Sequence, residues 1–167
     1  MKKHLFTTIR RAVPIAIIMV LSWVASIMGL LEEGGGTLRV VEIFLGTFFV
    51  AMGLLKCVNL SHFVGILTSY DGVARRFRHY AYAYPFIEIL LGLAYLGEVR
   101  IEIMSIVTAL FLGVTAFSLF RTLMRHEHPR CACMGTVFYM EVSWFSLFEY
   151  ALLMTCVLFT ISQYYAL

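Results

Sequence analysis

The sequence predicts an all-α integral membrane protein that crosses the bilayer five times. Only 14% of its 167 residues are charged and 61% are hydrophobic, whereas a soluble domain needs roughly 25% charged residues to cover its surface. Five apolar runs come near the roughly 20 residues required to cross a hydrocarbon core of ~30 Å. The basic residues, finally, fall almost wholly on alternate sides of those runs. A mean hydropathy of +0.87 excludes an ordinary water-soluble domain. The four cysteines, Cys57, Cys131, Cys133 and Cys156, are too few and too unevenly spaced for a secreted disulfide scaffold. With three prolines and no Ser/Gly/Pro-rich stretch, the chain reads as one membrane domain without a linker or tail.

Residues 1–12 form a short basic segment with Lys2, Lys3, Arg10 and Arg11. The first span covers about Val13–Leu31. A basic start followed by an apolar run also describes a signal peptide, whose apolar region is about 7–15 residues long. This run is longer, and no small-x-small site precedes Glu32, so it is read as a retained helix. Glu32-Glu33-Gly34-Gly35-Gly36 turns the chain into a second span, about Val40–Val58. The third covers about Tyr80–Gly97, and Gly97-Glu98-Val99-Arg100 turns tightly into the fourth, about Ile101–Phe120. The fifth covers about Trp144–Tyr165. Two longer connections, Asn59–His79 and Arg121–Ser143, share the side opposite the hairpins. In the fourth span Ser105, Ala109 and Gly113 recur every fourth residue, and Gly46 and Gly53 mark the second; such stripes suit close helix packing.

The basic residues set the orientation. Lys2, Lys3, Arg10, Arg11, Lys56, Arg75, Arg76, Arg78, Arg121, Arg125 and Arg130 share one side, against Arg39 and Arg100 on the other. Eleven against two puts the N-terminus and both long connections in the cytoplasm and the C-terminus outside. The basic residues follow topology and form no groove-sized patch, so nucleic acid is not an expected partner. No nucleotide loop or Ser–His–Asp pattern occurs, and His4, His62 and His79 suit the membrane interface.

Ionisable residues within spans are costly and mark candidate sites. Glu88 lies about eight residues into the third span, with Tyr84 and Gly92 on its own face. Lys56 ends the second span at the same level, where it either snorkels to the interface or pairs with Glu88. Glu149, near the start of the fifth span, is shallow enough for solvation, and Glu42 and Glu102 sit near the outer ends.

The sharpest local feature is His126-Glu127-His128-Pro129-Arg130-Cys131-Ala132-Cys133-Met134-Gly135 in the last cytoplasmic connection. Thiols one residue apart close only a small, strained disulfide ring, which makes the bond labile. Arg130 beside the pair favours thiolate, the nucleophile and metal-binding form. Cys131 and Cys133 therefore suit either dithiol exchange or a soft ion such as Cu(I), the latter with help from Met134, His126 or His128. Cys57 ends the second span on the same side, and mid-span Cys156 reads as apolar filler.

The run Gly46-x6-Gly53-Leu54-Leu55-Lys56, then Phe63, Tyr70-Asp71-x-x-Ala74-Arg75-Arg76, and Tyr80-Ala81-x-x-Tyr84-Pro85-Phe86-x-Glu88-x3-Gly92 resembles the MauE/DoxX family of redox-associated bacterial membrane proteins. Cys131-Ala132-Cys133-Met134-Gly135-Thr136-Val137-Phe138 and Phe148-Glu149 resemble its MauE branch, so the likeness covers roughly residues 40–160. The resemblance implies a DoxX-like four-helix bundle over residues 40–165, preceded by an extra N-terminal helix over 13–31. It implies residence in the bacterial inner membrane, a link to methylamine utilisation and protein maturation, and a thioredoxin-like partner. Members similar to this branch carry a heavy-metal-associated domain ahead of the first helix, for which residues 1–12 are too short. The charge count sets the C-x-C pair on the cytoplasmic face, unlike MauE. The expected function is a redox accessory, not a stand-alone enzyme, with Cys131 and Cys133 exchanging electrons and Lys56 and Glu88 tuning the site. A soft-metal binder using the same cysteines, and a structural subunit locked by Lys56 and Glu88, are the alternatives.

Overall fold

The computed structural model describes residues 17–24, 26–27, 36–125 and 144–165. Residues 17–24 and 26–27 are helical, within the expected first span. Six helices follow: α1 (Thr37–Cys57), α2 (Leu60–Tyr70), α3 (Gly72–Arg76), α4 (Arg78–Leu96), α5 (Ile101–Met124) and α6 (Trp144–Tyr165), with no strand among the described residues. Three helical stretches are long and apolar enough to cross a membrane: Thr37–Cys57, Ile101–Met124 and Ser146–Tyr165. Helix α4 has the length, at 19 residues, but it opens on Arg78 and His79 and carries Pro85 and Glu88. Leu90, Leu110, Phe117 and Phe148 are each more than 60% exposed, an outward apolar surface suited to lipid contact.

Helices α1 and α4 lie in backbone contact because glycines face across the interface. A Cβ on Gly92 would stand 2.7 Å from the Gly46 carbonyl oxygen, and one on Gly53 would stand 2.8 Å from that of Pro85. Only glycine permits this approach. Against this pair pack α5 and α6, around a core that includes Phe44, Phe48, Phe49, Leu112, Leu153 and Val157. Ile18, Met19 and Trp23 from the helical residues 17–24 join it, Trp23 with its ring 5.1 Å from that of Phe44. The sharp link from α4 to α5 has Glu98 at φ 54° and Arg100 at φ 44°. Glu98 takes the left-handed position that glycine commonly fills at a helix end, and the Val99 amide donates to the Ala94 carbonyl at 2.9 Å.

The connection after α1, expected as a long loop, is instead α2 and α3. Helix α2 turns Phe63, Val64 and Leu67 inward at helical spacing while Ser61, His62, Gly65 and Ser69 face out. Those three side chains form a second core with Ala81, Tyr84 and Phe111. Asn59 caps α2 by accepting from the His62 amide at 3.3 Å. Buried Asp71 caps α3, its Oδ1 accepting from the Val73 and Ala74 amides, both at 2.8 Å. The composition of Asn59–His79 reads as a loop because its apolar residues serve one helical face too short to register as a span. Asp71→Ala should lower stability by about 1 kcal/mol, and Asp71→Asn, which keeps the capping oxygen, by much less. Urea-free thermal melts in detergent check the difference, and equal losses for both variants would remove the cap from the account.

Candidate functional site: a buried charge cluster at the arginine-rich end

Lys56, the start of α4 and the C-terminal end of α5 lie at one end of the bundle, with Arg75, Arg76, Arg78, Arg121 and Arg125. Gly53, one turn before Lys56, lets α1 sit against Pro85 and Ile89 of α4. That contact sets Lys56 opposite Glu88. The Lys56 Nζ lies 2.5 Å from both carboxylate oxygens, and the two side chains are 3% and 5% exposed. The ammonium also lies 5.1 Å from the Tyr84 ring centroid and 6.0 Å from that of Phe63, within cation–π range. Lys56 is thus paired and enclosed, which decides against snorkelling.

Tyr84 joins the cluster to the second core. Its ring centroid lies 4.6 Å from that of Phe111, 5.7 Å from Phe63 and 5.9 Å from Tyr80. Thr115 donates its hydroxyl hydrogen to the Phe111 carbonyl at 3.0 Å. The Tyr84 hydroxyl therefore donates to Thr115 Oγ1, at 3.3 Å.

Glu149 completes the cluster from α6. It is 5% exposed, so the expectation of a solvated, shallow residue does not hold. The α6 helix buries Glu149 because it packs on α5 and α1, so that the side chain lines the same small space as Lys56 of α1, Leu112 of α5 and Glu88 of α4. Lys56, Glu88 and Glu149 line one cavity of about 10 Å³ with Met52, Leu112 and Tyr150, near the ~10–15 Å³ that a single water needs. The Glu149 Oε2 has no hydrogen-bond partner among the described residues. Two carboxyl groups thus face one ammonium, so a single proton shared between them would leave the cluster neutral. The space admits a proton or one water and no larger substrate.

A further buried carboxylate, Glu42, sits at the opposite end, where the sequence assigns it no role. Glu42 is 3% exposed, and its Oε1 accepts from the Tyr164 hydroxyl at 3.0 Å while its Oε2 accepts from Arg39 at 3.4 Å. Arg39 also donates to the Tyr95 and Leu96 carbonyls, both at 3.3 Å, and pairs with Glu98 at 3.1 Å. It thereby satisfies carbonyls that the end of α4 leaves open. This network ties α1, α4 and α6 together. The Arg39–Glu42 spacing of three was the available signal; Tyr164, 122 residues from Glu42, was not one that spacing can reveal.

Of the cysteines, Cys57 and Cys156 are half-buried free thiols, Cys57 beside Lys56 and Cys156 against the main core. Cys131, Cys133, Met134, His126 and His128 lie outside the described residues, in the segment between Arg125 and Trp144. Among the described residues, no group of three or more His, Cys, Asp or Glu side chains could hold a metal ion.

A family model described as methylamine utilisation protein MauE matches residues 35–163. No curated protein and no solved structure matches the chain. The matched span runs from just before α1 into the last turn of α6 and takes in Lys56, Glu88, Glu149 and the Cys131/Cys133 pair. The chain therefore belongs to the MauE family, as a membrane protein tied to methylamine utilisation.

Proposed function

We propose that this protein is a redox accessory of the bacterial inner membrane that exchanges electrons with a thioredoxin-like partner through Cys131 and Cys133. The observation that carries this reading is the position of the C-x-C pair inside the family match, on the segment joining α5 to α6. That segment leaves α5 after Arg121 and Arg125 and enters α6 five residues before Glu149, so both its ends belong to the arginine-rich end of the bundle. In this reading the helical residues 17–24 and 26–27 belong to a first crossing, and α1, α4, α5 and α6 are four more that form the DoxX-like core. Glu88 enters the bilayer only as half of a neutralised pair, which offsets the main cost of counting α4 as a span. The N-terminus and the cysteine segment are cytoplasmic and the C-terminus is outside, as the distribution of basic residues supports.

In the exchange, one thiolate of the pair attacks the partner's disulfide and a mixed disulfide forms. The second sulfur then attacks that bond and displaces the partner's thiolate. The pair ends as a disulfide, the partner as a dithiol, and two electrons have moved; the reverse sequence reduces the pair. Lys56, Glu88 and Glu149 are positioning residues that fix the helices from which the segment departs, and they hold a proton close to that end.

The test is a thiol-trapping redox titration in detergent, with Cys57 and Cys156 changed to Ser. Cys131 and Cys133 should titrate as one two-electron couple within about −180 to −300 mV, the range of cellular dithiol proteins. Cys131→Ser should abolish exchange and leave Cys133 trappable as a mixed disulfide with a thioredoxin-like protein. Thiols that stay reduced throughout, and that added Cu(I) shields from alkylation, would replace this reading with soft-metal binding by the same cysteines, Met134 and the nearby histidines.

A further inference from the structure

A second feature of the arginine-rich end lies apart from the charge cluster. Between α2–α3 and the outer face of α5 is a cavity of about 700 Å³, well within the ~300–1,000 Å³ of small-molecule sites. Its lining has two chemistries. Leu110, Gly113, Val114 and Phe117 form an apolar trough along α5, and Arg75, Arg121 and Arg125 rim it beside Ser118 and Thr122. The trough faces outward: Leu110 and Phe117 are 67% and 65% exposed. Its floor is low at Gly113, where an added Cβ would meet only the Met154 Cε, at 3.8 Å. The three arginines are exposed and form no salt bridge among the described residues. Three cations at the end of an apolar channel complement an anionic head on a hydrocarbon tail.

We propose that this cavity is a binding site for an anionic phospholipid. Arg75, Arg121 and Arg125 hold the headgroup phosphate by charge-assisted hydrogen bonds, for which the guanidinium fork is well shaped. Ser118 and Thr122 lie one turn apart on α5 at the level of the glycerol esters. An acyl chain runs down the trough over Gly113. The occupant would brace α2 and α3 against α5, beside the helix end from which the cysteine segment leaves. The inference does not depend on the redox reading, since it uses none of the cysteines and none of the charge cluster.

Native mass spectrometry of the full-length protein tests it, with dioleoylphosphatidylglycerol and dioleoylphosphatidylcholine supplied in equal amounts. Each arginine is worth about fivefold in preference for anionic lipid, so the phosphatidylglycerol adduct should exceed the phosphatidylcholine adduct by well over tenfold. R121Q/R125Q should lose most of that preference, and Arg75→Gln, at an exposed position of α3, should lose about fivefold. Gly113→Leu, which fills the trough and spares the arginines, should weaken retention of both lipids. Equal retention of the two lipids by the unaltered protein would overturn the proposal without recourse to any variant. So would displacement of phosphatidylglycerol by millimolar inorganic phosphate, which would mark a free-anion site. A lipid-free dimer as the dominant species would overturn it too, with a second copy as the occupant.

Discussion

Lys56→Ala should destabilise the protein by about 3–5 kcal/mol, the loss expected when one member of a buried ion pair is removed. The cause is the carboxylate left behind more than the bond lost. Glu88 is 5% exposed, and after truncation no other cation among the described residues lines the cavity of about 10 Å³ that Glu149 also lines. Lys56 also fills space against the Tyr84 and Phe63 rings, so truncation adds a packing defect in the second core. The double variant Lys56→Met with Glu88→Leu removes both charges at similar volume. It should recover most of the loss, because two apolar side chains often replace a buried pair at little net cost. Unfolding in detergent with increasing dodecyl sulfate measures both. A Lys56→Ala loss below about 1 kcal/mol, the value of an exposed pair, would mean that water reaches the cluster. The double variant also separates structure from function. If it is stable but no longer exchanges thiols, the cluster serves the chemistry of the segment; if exchange persists, Lys56 and Glu88 act only as a lock between α1 and α4.

The parts of this architecture that were legible in the sequence are those that depend on local pattern. Long apolar runs announce α1, α5 and α6, and Gly97-Glu98-Val99-Arg100 announces the turn between α4 and α5. The pairing of Lys56 with Glu88 was legible only as one of two readings, beside snorkelling, since both residues sit at one depth and an unpaired charge there is costly. What was hidden depends on tertiary placement. Helix α2 looks like a loop because only Phe63, Val64, Leu67 and their neighbours are apolar, yet those few side chains are almost wholly buried. Glu149 looks solvated by its position in α6 and is buried because of what α6 packs against. Glu42 looks like an interfacial residue and proves to be held by Tyr164, near the far end of the chain. The glycines lie between these cases. Their spacing suggests a close contact, and the atoms that face each glycine decide which of them are indispensable.

That ranking leads to a second large effect. Gly92→Ala should be the most damaging of the glycine-to-alanine changes, Gly46→Ala milder and Gly113→Ala nearly neutral, although alanine favours the helix at all three positions. The reason is the identity of the atom each new methyl meets. At Gly92 it would lie 2.7 Å from the Gly46 carbonyl oxygen and 2.8 Å from the Val50 amide nitrogen, both backbone atoms that move only if α1 moves. At Gly46 the nearest atoms, at 2.7 and 2.8 Å, belong to the Leu96 side chain, which can turn away, although the Gly92 carbonyl at 3.0 Å still resists. At Gly113 the nearest is a methionine methyl at 3.8 Å, an ordinary contact. Overpacking of this kind costs about 1–3 kcal/mol, and here relief requires α1 and α4 to separate. Separation draws Lys56 away from Glu88, so Gly92→Ala should lose part of its effect in the Lys56→Met/Glu88→Leu background, where no charge pair remains to be pulled apart. A double-mutant cycle reads that coupling directly. Strict additivity would mean that the glycine contact and the charge pair hold the two helices independently, and would sever the link from Gly53 and Gly92 to the position of Lys56.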